Sequence, residues 1–204
     1  MTRAPSAPRA ARFDAEYFAR FYGDPATRVA DARDATRIAG LIVGITHYFG
    51  LRVTRILDAG CGIGLLRAPL AAGFPGATYT GIEVSDYLCD EHGWTRASVV
   101  DFSARRPFDL VLCHDVCQYL TDAEAARAIA NLGRLCAGVL SFSVPTRADW
   151  RTAADPARSD GDVYRRTGAW YRSRLKRHFR HLGVGVHVAR SLQPVAWELE
   201  KPWA

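Results

Sequence analysis

Between residues 53 and 145, short apolar runs alternate with stretches of helical period. "VTRILDAG", "TYTGIE", "ASVVDF", "FDLVLCHD" and "AGVLSFSVP" read as five strands. "LLRAPLAAG", "DYLCDEHG" and "DAEAARAIANLGRLC" read as the helices between them, the last begun by Thr121 with Glu124 three residues on, a capping-box pattern. Strands apolar along most of their length, separated by helices, make a parallel sheet covered on both faces. The expected fold is therefore α/β: a doubly wound sheet of about seven strands, mostly parallel with an antiparallel C-terminal strand. "GAWYRSRLKRHFRHLG" (168–183) reads as the last helix, and "VGVHVAR" with "PVAWELEK" as a closing antiparallel pair. Two helices are expected ahead of the sheet, over 13–23 and 27–50, separated by Asp24-Pro25.

Composition bounds the rest. A chain of 204 residues with 49% apolar and 24% charged residues fits one globular domain over 13–204, after a tail over 1–12 expected to be disordered. Within it, 13–50 hold the N-terminal helices, 51–143 the ligand-binding half and 144–204 a substrate-side segment. The longest apolar run, Ile38 to Ile45, is far short of the roughly 18–20 residues that cross a bilayer. The first residues hold no apolar secretory core, and a basic organelle-targeting segment is the alternative to a plain tail. Five cysteines, at 61, 89, 113, 117 and 136, form no CxxC pair; reduced thiols and a cytoplasmic location are expected. Cys113, His114 and Cys117 do not have metal-ligand spacing. The net charge of +6 comes almost wholly from arginine, with lysine at 176 and 201 alone. That imbalance points to codon bias rather than a nucleic-acid surface, although 164–181 is locally basic.

Ligands of such sheets bind beyond the carboxyl ends of the strands. The first strand ends at Asp58, followed by Gly60, Gly62 and Gly64. A tight turn alone needs one or two glycines; three let a ligand approach the main chain. The GxGxG spacing departs from the dinucleotide pattern GxGxxG, and a carboxylate beside a pyrophosphate is badly placed. Asp58 suits a ligand with a cationic amine instead. Glu83, at the end of the second strand, suits ribose hydroxyls. Asp101 can accept from an exocyclic amine while the Phe102 N–H donates to a ring nitrogen, which suits an adenine edge; a turn cap is the plainer role for Asp101.

This constellation resembles the class I S-adenosylmethionine-dependent methyltransferases, on "LDAGCGIG" (57–64), "GIEVS" (81–85), "VVDF" (99–102) and "FDLVLCHDVCQYL" (108–120). The resemblance covers about 55–200 and implies a Rossmann-like sheet closed by a C-terminal hairpin. It implies that S-adenosylmethionine is the cofactor, with Asp58 near its amino group. The backbone of Gly60, Cys61 and Gly62 lines the methionine part. Glu83 holds the ribose, Val84 packs on adenine, Asp101 and Phe102 take the adenine edge, and the main chain of His114 meets the amino end. Arg28 is the candidate for the cofactor carboxylate, with Arg37 and Tyr22 as alternatives.

The resemblance implies methyl transfer to a small-molecule acceptor by in-line displacement. Many small-molecule members carry Glu-His-Leu where this chain has Gln118-Tyr119-Leu120, which removes the usual histidine. His114 and Tyr119 remain as catalytic candidates, with a backbone or capping role for His114 as the plainer alternative. "SVPT" after the fifth strand is not the motif of amino-adenine or glutamine-amide methylation. No Asp/Asp/Asn metal set stands out, so a metal-independent reaction is expected. Tyr17, Phe21, Tyr22, Tyr164, Trp170 and Tyr171 are candidate lid and substrate walls, and Arg165, Arg166 and Arg172 either a solvated basic face or contacts to an acidic substrate. An RNA or protein methyltransferase, and a non-catalytic S-adenosylmethionine-binding module, are the alternatives. Oligomeric state is not readable.

Overall fold

In the computed structural model, residues 12–192 are described. The strands are β1 (Arg55–Ala59), β2 (Thr78–Glu83), β3 (Thr95–Arg96), β4 (Phe108–His114), β5 (Cys136–Ser143), β6 (Phe179–Gly183) and β7 (Val186–Ala189). They form one seven-stranded sheet in the order β3-β2-β1-β4-β5-β7-β6. β1 to β5 run parallel, and β7 lies antiparallel to both β5 and β6. The expected mixed, doubly wound sheet is present. Its direction of winding reverses between the adjacent strands β1 and β4, and a crevice opens at such a switch point.

The helices are α1 (Ala15–Phe18), continued by a π-helical turn over Ala19–Gly23, then α2 (Ala32–Tyr48), α3 (Arg67–Gly73), α4 (Asp86–His92), α5 (Asp122–Leu135), α6 (Asp149–Thr152) and α7 (Gly168–Leu175). Side chains alternate across the sheet as the pleat requires. Ile56, Leu110, Leu112 and Val139 meet α2 and α3 on one face, through Ala39, Ile42 and Leu70. Leu57, Val111, Cys113 and Leu140 meet α5 and α7 on the other, through Ala128, Ile129, Tyr171 and Leu175. A one-residue slip would exchange the two sets, so the apolar pattern pins the register. All five cysteines are buried and free. Among the described residues no helix is long and apolar enough to cross a membrane.

Three elements differ from the sequence reading. The third strand is Thr95–Arg96 alone, because the chain turns at once: the N–H groups of Asp101 and Phe102 both donate to Ser98 O. The last helix stops at Leu175, and Phe179–Gly183 is strand β6. Tyr171, Leu175 and Phe179 keep a helical spacing, yet pairing with β7 overrides it at Phe179. The closing hairpin is thus β6–β7, one element earlier than expected, and 194–201 lies outside the described residues. The second N-terminal helix begins at Ala32 rather than near 27. Asp31 caps it, accepting from the N–H groups of Arg33 and Asp34, while the Asp34 carboxylate accepts from the Asp31 N–H. Arg28 consequently precedes the helix.

Candidate functional site

A cavity of about 500 Å³ opens over the carboxyl ends of β1, β2 and β4. Its floor is the loop after β1. The N–H groups of Gly60 and Cys61 donate to Ile82 O at 2.8 and 3.2 Å, which fastens the loop to the end of β2. Gly60 has φ +77°, and a Cβ there would fall inside the van der Waals shell of a Val116 methyl. Gly62 has φ +54°, and its missing Cβ faces open space on the cavity wall. Two separate demands therefore require these glycines: close packing below and a clear wall above.

Glu83 ends β2, is buried, and lines the cavity beside Val84. One of its oxygens accepts from the Val84 and Ser85 N–H groups at 2.7 and 3.1 Å, and the other from the Gly62 N–H at 3.0 Å. Three of about four acceptor positions on the carboxylate are thereby filled, leaving room for a ligand donor. The loop N–H groups of Gly60, Cys61 and Gly62 are all engaged within the protein. What the loop offers a ligand is shape, not free donors.

Asp58 lies beneath this floor and is not among the residues lining the cavity. One of its oxygens accepts from the Tyr79 hydroxyl at 2.5 Å. Burial raises its pKa to about 6, against the lowering effect of that hydrogen bond, and nearby Glu83 raises it further. Cys61 is buried and also off the wall.

Asp101 and Phe102 do not line the cavity. Asp101 is exposed in the turn after β3, and Phe102 packs against the core that carries α5. The position beyond the end of β3 belongs instead to Ala97, Ser98 and Val99, all on the cavity wall. Arg28 is also absent from the wall: it pairs with Asp31 at 2.8 Å, and Arg37 pairs with Asp34. Of the three N-terminal candidates, Tyr22 alone lines the cavity. Burial, followed by the charges of Tyr17, Asp115 and Glu83, pushes its hydroxyl well above the usual phenol range.

The other wall follows β4. His114 faces the cavity with Nε2 2.8 Å from the buried Ser141 hydroxyl, and burial lowers its pKa to about 4. The ring is neutral at pH 7 and a weak base there. Asp115 follows with φ +54°, a left-handed conformation that costs a non-glycine residue about 1 kcal/mol or more. Asp115 is exposed on the cavity wall, and partial desolvation there raises its pKa to about 6. Gln118 is 4% exposed and lines the cavity, and its Oε1 has no hydrogen-bond partner among the described residues. Tyr119 also lines it, its hydroxyl 2.9 Å from that of Tyr17, and burial raises its pKa strongly.

The N-terminal segment closes the site from above. Phe13 and Phe18 pack on Leu88, together with Ile63, Val84 and Tyr119 from the ends of three strands. Arg12 pairs with Asp160 at 2.5 Å and Asp162 at 3.1 Å, tying this segment to the loop before α7. The stretch between β5 and α7, α6 included, supplies Pro145, Trp150, Asp155 and Arg158 to the wall. Of the expected aromatic walls, Tyr17 and Tyr22 are in place and Phe21 lines a neighbouring hollow. Tyr171 is instead a core residue, and Trp170 packs against that core.

Arg166 is neither solvated nor turned to a substrate. It is buried, donating to Asp122, to Cys117 O, to Leu120 O and to the Tyr171 hydroxyl, at 2.5 to 3.1 Å. It thereby clamps the turn that carries Gln118 and Tyr119. Arg165 covers the Trp150 ring at 4.3 Å and Arg174 the Trp170 ring at 3.6 Å. The basic segment is thus partly spent on internal contacts, which weakens the case for nucleic acid.

Reading the sequence missed Tyr79, Ser98 and the Arg12–Asp160 tie. Tyr79 became visible only through the pairing of β1 with β2.

The methyltransferase-domain family matches residues 57–138. A ubiquinone biosynthesis O-methyltransferase from Rickettsia canadensis (strain McKiel) is 30% identical over 98 residues, covering 43% of this chain and 42% of that protein. The chain therefore matches less than half the length of that curated relative. A magnesium protoporphyrin IX methyltransferase from Synechocystis PCC 6803, solved with bound S-adenosylhomocysteine, superposes with a TM-score of 0.60 at 21% identity, over 88% of this chain and 95% of that one. An S-adenosylmethionine-dependent methyltransferase from Clostridium acetobutylicum ATCC 824 superposes with a TM-score of 0.61 at 14% identity, over 83% of this chain and 87% of that one. At those identities the likeness shows the shared fold.

Proposed function

We propose that this chain, which carries a methyltransferase domain of the class I S-adenosylmethionine-dependent family, transfers a methyl group from S-adenosylmethionine to a small-molecule acceptor by in-line displacement without a metal ion. The observation that carries the reading is the cavity at the β1–β4 switch point, with Glu83 and the bare face of Gly62 on one wall.

In this reading the free acceptor position on Glu83 takes a ribose hydroxyl. Val84 packs on the adenine ring, and Ser98 with Val99 replace Asp101 and Phe102 at its edge. Gly60, Cys61 and Gly62 shape the floor under the methionine part, and Asp58 attracts its amine from below. The main chain of His114 borders that amine, and Tyr22 donates to the carboxylate in place of Arg28. The sulfonium supplies a methyl group that is already activated. The protein's share is to align the acceptor and keep water out, which the Arg12–Asp160 tie and the aromatic cover serve.

Calorimetry with S-adenosylhomocysteine and, separately, NAD tests this reading. Binding of S-adenosylhomocysteine and none of NAD is expected. Binding of NAD without S-adenosylhomocysteine overturns it. Turnover that survives a chelator supports the absence of a metal, and turnover abolished by it refutes that part.

A further inference from the structure

The ring of His114 is held from behind, with Nε2 2.8 Å from the Ser141 hydroxyl. Ser141 is 5% exposed and lies in β5 between Leu112 on β4 and Val186 on β7. Among the described residues its hydroxyl has no partner but His114. That hydroxyl carries one hydrogen, and Nε2 is the acceptor within its reach. Were Nε2 the donor instead, the serine hydrogen would stay buried and unpaired, at a cost of about 1–3 kcal/mol. The bond therefore runs from Ser141 to Nε2. A neutral imidazole has a single N–H, so the ring hydrogen belongs to Nδ1.

Nδ1 itself has no partner among the described residues. The unpaired side-chain atoms sealed inside them are Gln118 Oε1 and Trp150 Nε1; Nδ1 is not one of these, so it has open surface. His114 lines the cavity at the end of β4, and the open surface of its ring is there. A donor with a fixed hydrogen thus meets whatever lies beside it. A neutral amine nitrogen has one lone pair; once it accepts this hydrogen, none is left to attack a methyl carbon. A hydroxyl oxygen keeps a second lone pair. Phe13, Tyr17 and Tyr119 line the same cavity, with the Phe13 ring 5.0 Å from each of the other two, and they suit a flat ring. Asp115, Asp149, Asp155 and Asp160 on the wall disfavour an acceptor that arrives as an anion.

We propose that the methyl acceptor is a small molecule with a phenol-type hydroxyl whose oxygen accepts the His114 Nδ1–H, and that Ser141 is the positioning residue that fixes this hydrogen on Nδ1. This rests on the methyl-transfer reading above. The hydroxyl gives its proton to water, which a phenol, with a pKa of about 10, does far more readily than an alkanol. One lone pair of the oxygen accepts from Nδ1. Another forms the O–C bond to the methyl carbon as the C–S bond breaks, and that electron pair stays on sulfur. The negative charge of the oxygen and the positive charge of the sulfur cancel. His114 takes up no proton at any point, which agrees with its weak basicity.

The test measures binding of phenol, aniline and benzoate, each at up to about 10 mM, to the protein saturated with S-adenosylhomocysteine, and reads by nitrogen NMR which His114 nitrogen carries the hydrogen. Wild type is expected to carry it on Nδ1 and to bind phenol at least about fivefold more tightly than the other two. Ser141→Ala is expected to shift the hydrogen toward Nε2 and to weaken phenol about fivefold, while S-adenosylhomocysteine affinity stays within about twofold. Ser141→Thr should restore both properties. His114→Asn keeps an N–H donor near the Nδ1 position and should lose less phenol affinity than His114→Leu. The proposal is overturned by a hydrogen on Nε2 in the wild type, by no phenol binding, or by aniline or benzoate binding as tightly. It is equally overturned by unchanged phenol binding in Ser141→Ala, by a loss there that falls on S-adenosylhomocysteine instead, or by His114→Asn losing as much as His114→Leu. Failure of the wild type to bind S-adenosylhomocysteine at all is a different result, and it refutes the methyl-transfer reading itself.

Discussion

The Tyr79 hydroxyl donates to a buried Asp58 oxygen at 2.5 Å, joining β2 to the end of β1 directly below the glycine loop. Asp58 is thus anchored from the strand beside it before any ligand arrives. Tyr79→Phe removes the one side-chain donor to this carboxylate among the described residues and is expected to cost about 1–3 kcal/mol in urea unfolding at pH 7. Adding Asp58→Asn to that variant should cost less than the sum of the two single changes, because the pair acts as a unit. Strict additivity would show that the bond contributes nothing.

Gly60 and Gly62 predict two distinct outcomes. Gly60→Ala meets the Val116 methyl as well as the positive φ, and it should lose more stability than the roughly 1–2 kcal/mol of the backbone strain. Val116→Ala in the same chain should restore the excess and not the remainder. Gly62→Ala meets only the strain, and its new methyl projects from the cavity wall. It should weaken S-adenosylhomocysteine by more than Gly60→Ala does once both are folded. Equal affinity in wild type and Gly62→Ala would contradict a ligand lying on that wall.

Arg166 serves four acceptors from one planar group. Arg166→Lys cannot satisfy them all, since a single ammonium lacks the fork. With at least one buried carbonyl left unpaired, a loss of about 2–3 kcal/mol is expected in the lysine variant, and more in Arg166→Ala. A melting temperature unchanged in Arg166→Lys would mean the clamp is dispensable.

Acid sensitivity has a definite sign. Burial lowers the pKa of His114 and His187 to about 4, the latter with help from nearby His181. The unfolded chain takes those protons near pH 6.5, so between pH 6.5 and 4 it holds more protons than the folded state, and stability falls as pH falls. Asp58 and Asp115, raised to about 6, act in the opposite sense: the folded state holds their protons from pH 6 down to about 4, and stability falls as pH rises there. His187 lies away from the cavity, on β7. His187→Gln should therefore lose less stability than wild type between pH 7 and 5, by an amount on the order of 2 kcal/mol. Parallel pH profiles would contradict the shift.

The part of the cavity wall that was legible has local requirements. Gly60, Gly62 and Glu83 sit at or just past strand ends and line the cavity, whereas Asp58 and Gly64, from the same motif, do not; each strand end is marked by a change from apolar run to acid or glycine. The capping box at Thr121 and Glu124 is likewise local, and it is present. Asp101 misled because an acid after an apolar run imitates a strand end. The strand had already stopped at Arg96, and Val99 and Val100 are apolar because they are buried in a turn. Phe179 misled because helical spacing and a buried strand residue look alike in one dimension. Pairing across strands placed Tyr79, and burial emptied Gln118 of partners; neither has a sequence signature.

The most direct test of the account is a crystal structure of the protein with S-adenosylhomocysteine. The account predicts the ribose on Glu83, the adenine between Val84 and Ser98–Val99, and the sulfur directed toward the space beside His114. A ligand that binds elsewhere, or one whose ribose makes no contact with Glu83, would contradict it.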